Sequence, residues 1–514
     1  MEALDWLVIG VFFLALIGII VWVVRQKQND SADYFLGGRD ATWLAIGASI
    51  FASNIGSEHL IGLAGAGASS GMAMAHWEIQ GWMILILGWV FVPFYTRSMV
   101  YTMPEFLERR YNPQSRTILS VISLVSYVLT KVAVTVYAGG LVFQLVFGIK
   151  ELWGIDFFWI AAIGLVVLTA LYTIFGGMKS VLYTSVLQTP ILLLGSLIIL
   201  VLGFKELGGW DEMMRVCGAV TVNDYGDTMT NLIRSNDDAN FPWLGALIGS
   251  AIIGFWYWCT DQFIVQRVLS GKNEMEARRG TIFGAYLKLL PVFLFLIPGM
   301  IAFALHQKYI GAGGEGFLPM LANGTANADA AFPTLVAKLL PAGVKGLVVC
   351  GILAALMSSL ASLFNSSAML FTIDFYKRFR PETPEKKLVG IGQIATVVIV
   401  ILGILWIPIM RSVGDVLYTY LQDVQSVLAP GIAAAFLLGI CWKRTSAQGG
   451  MWGLIAGMII GLTRLGAKVY YSNAGEVADS TFKYLFYDMN WLFFCGWMFL
   501  FCIIVVIVVS LATE

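Results

Sequence analysis

The sequence predicts an all-α integral membrane protein whose core is two inverted halves of five helices each. Three observations carry this. The chain of 514 residues is 58% hydrophobic and only 12% charged, about half the charge of a soluble domain. Its apolar runs number about thirteen, each long enough to cross a hydrocarbon layer roughly 30 Å thick. Polar and ionisable residues interrupt a few of these runs at depths where lipid penalises them, so they must line a cavity or be buried in protein.

The first run, 4–24, is followed rather than preceded by Arg25 and Lys27. That order is backwards for a cleaved signal peptide, and predicts a retained helix with its N-terminus outside. Further runs lie near 43–67, 77–96, 117–147, 157–175, 181–203, 243–266, 281–305, 345–376, 388–410, 415–441, 449–466 and 485–511. Basic residues collect in alternate loops, among them Arg109, Arg110 and Arg116, then Arg278 and Arg279, then Lys377, Arg378, Arg380, Lys386 and Lys387. By the positive-inside rule these loops are cytoplasmic, and so is the C-terminus. Two longer loops, 205–242 and 307–343, then fall outside as solvated caps. Asn323-Gly-Thr in the second matches a glycosylation pattern, which alone is a weak signal.

Topology also implies symmetry. With the first helix set aside, five spans that begin inside force the next five to begin outside. Such halves are the inverted repeats of many secondary transporters. They would occupy 43–203 and 243–441, with an extra helix and linker over 1–42 and extra C-terminal helices over 442–514.

Composition excludes several functions. Net charge is zero and no long basic run occurs, so nucleic acid is not a partner; the lipid bilayer is. Cys217, Cys259, Cys350, Cys441, Cys495 and Cys502 form no CxxC pair, and there are only three histidines. Neither a metal cluster nor a disulfide framework is indicated. No nucleophile–base set is visible, so an enzyme is not expected. Without an ATP-binding pattern, energy must come from an ion gradient, or transport is passive.

The chain is organised around Phe51-Ala-Ser-Asn-Ile-Gly-Ser-Glu-His59. A membrane helix should avoid this succession. A kinked helix whose polar groups bond to its neighbours is the plainer reading. The sharper one is a discontinuous helix whose freed carbonyls bind a cation and whose side chains bind a substrate. Gly254, Thr260, Asp261 and Gln262 mark a second interruption at the start of the second half. Glu78, Lys131, Lys288, Gln422 and Asp423 are further ionisable or amide groups in spans; each alone could snorkel to an interface. With Asn54 and His59 they supply donors, acceptors and both charge signs. A polyol needs that mixture, because each hydroxyl both donates and accepts and is costly to bury unpaired. Trp77, Trp256, Tyr257 and Trp258 could stack on a sugar ring or form an interfacial belt. Ser358 and Ser359 offer adjacent hydroxyls to a hard cation such as sodium, although helix packing also favours small residues there.

These residues carry a likeness. Asp33-Tyr-Phe-Leu-Gly-Gly-Arg39, Gly47-Ala-Ser-Ile-Phe-Ala-Ser-Asn-Ile-Gly-Ser57, Tyr172-Thr-Ile-Phe-Gly-Gly177, Trp258-Cys-Thr-Asp-Gln-Phe-Ile-Val-Gln-Arg267, Leu353-Ala-Ala-Leu-Met-Ser-Ser359 and Phe371-Thr-Ile-Asp374 resemble the sodium:solute symporter family. The likeness runs collinearly over about 33–453 and is strongest to the sodium/glucose cotransporter branch. It implies a LeuT-type core of five plus five helices that works by alternating access. It implies sodium held by the carbonyls of Ala52, Ile55 and Ala355 and the hydroxyls of Ser358 and Ser359. It implies glucose, galactose or a related hexose bound by Asn54, His59, Glu78, Lys288 and Gln422, with Tyr257 as inner gate and Trp258 beside it. Myo-inositol, sialic acid or proline are the other family solutes, and an uncoupled sugar sensor or leak is the contrasting class. Ser185 stands where members with a second sodium site commonly have Asp, and Ala361 lacks a hydroxyl some of them have. One sodium per sugar is therefore expected. Glu58 and Gly254 depart from the animal pattern. Short loops and the lack of a long C-terminal extension point to a bacterial inner membrane, and a monomer is expected to suffice.

Overall fold

The computed structural model describes residues 1–26, 30–56, 58–321, 324–413, 417–473 and 478–513, leaving aside the side chains of 129–130, 409–413, 417–423 and 472–473. Asn323 lies outside the described residues. Apart from a two-residue β-hairpin pairing Glu151–Leu152 with Ile155–Asp156, the folded elements are helices. Among the described residues, ten helices are long and apolar enough to cross a membrane.

Each run read from the sequence falls on helix, but the pieces divide differently. Helix α1 (Ala3–Val24) leads into α2 (Trp43–Asn54), which stops where the sequence turns polar. Ile55 leaves the helical region at φ −78°, ψ 97°. Widened turns over Glu58–Leu63 lead into α3 (Ala64–Ser70). The first interruption is thus a true break. Residues 71–98 form an irregular span of tight and wide turns ending in Val92–Ser98. After α4 (Pro113–Ser126) and α5 (Ala133–Phe147), the two runs expected at 157–175 and 181–203 join in α6 (Phe157–Leu207). Only Gly177 interrupts it, at φ 53°, ψ −150°, a conformation open to glycine. The turn that the sequence places at 176–180 is therefore a single residue.

The second interruption follows the same plan. Helix α7 (Trp243–Gly254) widens through Phe255–Thr260, and Asp261 is extended at φ −76°, ψ 127° before α8 (Gln262–Leu269) starts. The carboxylate of Asp261 accepts the Phe263 N–H at 3.1 Å, capping α8. Helices α9 (Glu274–Leu287) and α10 (Ile297–Gly311) flank a wide turn after Pro291. Then come α11 (Val344–Met369), α12 (Glu385–Val413), α13 (Leu417–Cys441), α14 (Ala447–Asn473) and α15 (Trp491–Ala512). The last run was expected from 485; Met489 is extended and Asn490 caps the helix instead. The aromatic stretch before it is apolar enough to read as span, which hid the break.

Helix α2 packs on α6, α9 and α11, and α11 lies along α6. Small residues permit this closeness: a Cβ at Gly47 would stand 2.8 Å from the Gly280 carbonyl. The two longer loops, 205–242 and 307–343, are more than solvated caps. Met213, Cys217 and Met229 of the first are buried, as are Phe317, Phe332 and Leu335 of the second. Helices Trp210–Gly218 and Ala331–Leu339 are amphipathic, so their apolar faces dock on the bundle while polar faces stay wet. Arg234 is buried beneath the first loop beside Asp238 at 3.5 Å, and it donates to the Ser70 carbonyl at the end of α3.

Candidate solute and sodium site

The break in α2 supplies the first half of the site. Ending the helix at Asn54 deprives its last carbonyls of the N–H partners that a continuing helix would offer. Ala52 and Ile55 are buried at this end, and Ala355 is buried on α11, which packs on α2. Ser359, on α11, donates its hydroxyl to the Ser53 carbonyl at 2.5 Å. Gly56 lies against it: a Cβ there would stand 2.7 Å from Ser359 Oγ. The structure therefore brings Ser359 onto the broken end of α2, a meeting that spacing alone left open. Ser358 faces α6, with its Oγ 3.2 Å from that of Ser185. These oxygens are neutral and hard, which suits sodium.

Sequence reasoning missed what stands behind them. Ser53 Oγ lies 2.8 Å from Ser362 Oγ. The guanidinium of Arg267, on α8, donates to Ser53 Oγ at 2.7 Å and to Ser49 Oγ at 3.2 Å. Arg267 is fully buried, and its Nη1 has no hydrogen-bond partner among the described residues. The two broken helices thus meet through one cation and a group of seryl hydroxyls. In the sequence Arg267 only ends the Trp258–Arg267 motif, just past the run expected over 243–266, which concealed this role.

The second half is a small chamber lined by Asn54, Glu58, His59, Trp77, Glu78, Gln80, Ile253, Tyr257, Trp258, Lys288 and Gln425. Lys288 Nζ lies 2.6 Å from Glu78 Oε2 and 2.7 Å from His59 Nε2, and His59 Nε2 is 3.3 Å from Glu78 Oε1. All three are buried, so snorkelling is excluded. Asn54 donates from Nδ2 to the Tyr257 hydroxyl at 2.9 Å. Trp258 packs edge-on against Tyr257 with ring centroids 4.9 Å apart. The sequence-predicted residues thus converge, except that the side chain of Gln422 lies outside the described residues, as does that of Asp423. Gln425, one turn along α13, lines the chamber. Gln80 and Gln425 were missed; the amide-rich Gln422-Asp-Val-Gln425 was the available signal for the second.

Hydrogen-bonding capacity is left over. His59 Nδ1, Asn54 Oδ1 and Gln80 Oε1 are buried without partners. With Lys288 donating to Nε2, a neutral His59 carries its proton on Nδ1, so these three atoms offer one spare donor and two spare acceptors. Free space amounts to about one water molecule, so a larger solute must part the side chains and exchange partners with them. A second chamber adjoins, lined by Ser53, Asn54, Gly56, Glu58, Lys131, Thr135, Tyr257, Phe263, Ser359 and Leu363. Tyr257 belongs to both walls. Lys131 is buried and paired with Asp261 at 2.7 Å, with its ammonium 4.6 Å from the Tyr257 ring centroid. Trp256 packs near Lys131, at 5.6 Å, rather than in the solute chamber. A more spacious cavity, by contrast, lies against the 307–343 loop around Phe317 and Lys338 and is separate from this site.

Two broken helices, a cation-ready end and a polar chamber within apolar spans define a membrane transporter. Residues 34–457 match the model of the sodium:solute symporter family, and the chain belongs to that family. It is 38% identical over 532 positions to sodium/glucose cotransporter 1 of Ovis aries, covering all of this chain and 79% of that one. It is 37% identical over 528 positions to sodium/myo-inositol cotransporter 2 of Mus musculus, covering 100% and 77%. Among solved structures, a Na+-coupled sialic acid symporter in a substrate-bound outward-open state shares the fold, with TM-score 0.80 and 22% identity over 100% of this chain and 98% of that one. MhsT in complex with L-phenylalanine superposes with TM-score 0.52 at 13% identity. The protein is a multi-pass, sodium-coupled solute symporter, and not an enzyme; sodium is the co-transported ion.

Proposed function

We propose that this protein imports glucose or a related hexose such as galactose, one sodium ion per sugar, by alternating access in a thirteen-helix, LeuT-type frame. The frame consists of inverted repeats at 43–203 and 243–441, flanked by 1–42 and 442–514. The observation that carries the substrate is the chamber's unspent capacity: a spare donor on His59 and spare acceptors on Asn54 and Gln80 beside the His59–Glu78–Lys288 group. Hydroxyls that donate and accept at once satisfy such a set, whereas a lone carboxylate, as in proline, does not. Trp77 and Trp258 offer faces to a sugar ring, Gln422 is the remaining substrate ligand, and Tyr257 is the inner gate. Sodium sits between the carbonyls of Ala52, Ile55 and Ala355 and the hydroxyls of Ser358 and Ser359.

Sodium orders the break in α2 and favours the outward-open state; sugar then closes the chamber. Each ligand raises the affinity for the other by the same factor. One sodium crossing ~100 mV supplies ~2.3 kcal/mol, and a tenfold gradient adds ~1.4. The total of ~3.7 kcal/mol supports sugar accumulation of roughly several hundredfold. Stoichiometry rests on Ser185, which bonds Ser358 and the Val181 carbonyl rather than presenting a carboxylate. A reversal potential that requires two sodium ions overturns it. Myo-inositol is the second reading, favoured by the near-equal identity to the mouse cotransporter. Competition of labelled glucose uptake by galactose or by myo-inositol separates the two. The working unit is a monomer in a cell membrane, most simply a bacterial inner membrane, with the N-terminus outside and the C-terminus in the cytoplasm.

A further inference from the structure

Glu58 belongs to neither of the ligand sets above, yet it lines both chambers. Among the described residues, only Asn54 and Tyr257 share that position. Glu58 is partly buried, and among the described residues its carboxylate has neither a hydrogen-bond nor an ion-pair partner. It follows the break in α2 by three residues, so the segment that sodium would order also sets where this carboxylate stands. Its charge acts on His59 and Lys288 around the solute chamber, and on Lys131 and Asp261 around the other.

The fixed charges around the site give this carboxylate a reason. Lys131, Lys288 and Arg267 are buried cations; Asp261 and Glu78 are the buried anions paired with the two lysines. Arg267 contacts only seryl hydroxyls at its hydrogen-bond positions. Without Glu58 the surroundings carry one uncompensated positive charge; with it they are neutral. The sodium ligand Ser359 lines the same small chamber as Glu58 and Lys131. A monovalent cation entering beside Lys131 and Arg267 meets repulsion that weakly screened surroundings magnify. A carboxylate there offsets it.

We propose that Glu58 is the residue that links the two ligand sites: its charge lets sodium bind beside Lys131 and Arg267, and its oxygens then accept from a solute hydroxyl. The carboxylate is a positioning and charge-compensating group for sodium and a direct acceptor for the solute. This rests on the reading of Ser359 as a sodium ligand. It predicts that Glu58→Gln weakens sodium binding without unfolding the protein, because the lost charge has no ion-pair partner to strand.

The test uses the full-length protein in liposomes, with wild type, Glu58→Gln and Glu58→Asp side by side. Two quantities are read for each: the sodium concentration that half-saturates labelled glucose uptake, and the factor by which saturating sodium strengthens equilibrium glucose binding. For Glu58→Gln the half-saturating sodium rises about tenfold, equivalent to about 1.4 kcal/mol, and the binding factor shrinks toward one. Glu58→Asp recovers most of both. A Glu58→Gln protein with wild-type sodium half-saturation overturns the proposal. So does one that raises only the sugar KM, since Glu58 would then touch solute alone. If Glu58→Gln fails to fold, Glu58→Ala removes the same carboxylate, and a wild-type sodium half-saturation in it counts against the proposal equally. A wild-type protein that takes up glucose with no sodium effect refutes the symport reading itself and is distinguishable from all of these.

Discussion

Replacing Glu78 with Gln strands a charge. Lys288 Nζ lies 2.6 Å from Glu78 Oε2, and both side chains are buried. At an effective dielectric of about 20, charges that close attract by roughly 6 kcal/mol before desolvation is counted. Removing one partner of a buried pair while leaving the other costs about 3–5 kcal/mol. His59 Nε2, 2.7 Å from the ammonium, recovers only part of this as a neutral acceptor. Glu78→Gln should therefore lower the thermal midpoint of the purified protein by several degrees and abolish glucose uptake. The companion Glu78→Gln/Lys288→Met removes both charges. It should regain most of the thermal stability, because replacing a buried pair with apolar groups is often neutral or stabilising, while uptake stays absent. Thermal unfolding in detergent at one scan rate and labelled uptake in liposomes read the two effects separately. A double variant that transports like wild type refutes the assignment of this pair to the solute. A single variant as stable as wild type refutes the buried-charge argument.

Three further outcomes follow from the geometry. Ser359→Ala removes the hydroxyl that bonds the Ser53 carbonyl; concentrative uptake should disappear and half-saturating sodium rise at least tenfold, roughly 1.4 kcal/mol or more, while a sugar sensor would keep its sugar binding. Gly177→Ala forces an alanine into φ 53°, ψ −150°, with its Cβ driven against the Tyr34 carbonyl; the loss of about 2 kcal/mol or more should show as reduced yield of folded protein. In the 205–242 loop, burial pushes the Asp238 carboxyl up, but hydrogen bonds from the Phe241 and Asn240 N–H groups and Asn223, with Arg234 nearby, outweigh it and hold the carboxyl below its ordinary value. A lowered folded value stabilises the loop above the unfolded pKa, so this contribution is present at pH 7 and fades as acid passes below about pH 4. Pepsin should cut the loop faster at pH 3 in wild type, and Asp238→Asn should remove that part of the pH dependence.

The fold was largely legible because lipid punishes polar backbone. Asn54-Ile-Gly-Ser-Glu could be read as a break from its position in an apolar run, and the structure ends α2 at Asn54. The likeness identified Ser358 and Ser359, but only packing shows that Ser359 reaches Ser53. Partners far apart in the chain stayed hidden: nothing local ties Lys131 to Asp261, or Arg267 to Ser49 and Ser53. Which face of a span looks inward was equally obscure where helices are irregular, and so Gln80 in the 71–98 span and Gln425 on α13 were missed. Short helices in the two longer loops were hidden by their polar faces, although Met213 and Phe332 anchor them.

Sodium-driven sugar accumulation is the central claim, and uptake of labelled glucose into liposomes containing the purified protein tests it most directly. With sodium outside, glucose should accumulate above its external concentration and be competed away by unlabelled glucose or galactose; replacing sodium with potassium should abolish this. Glucose that merely equilibrates, at the same rate in sodium and potassium, would contradict the coupling at Ser358 and Ser359.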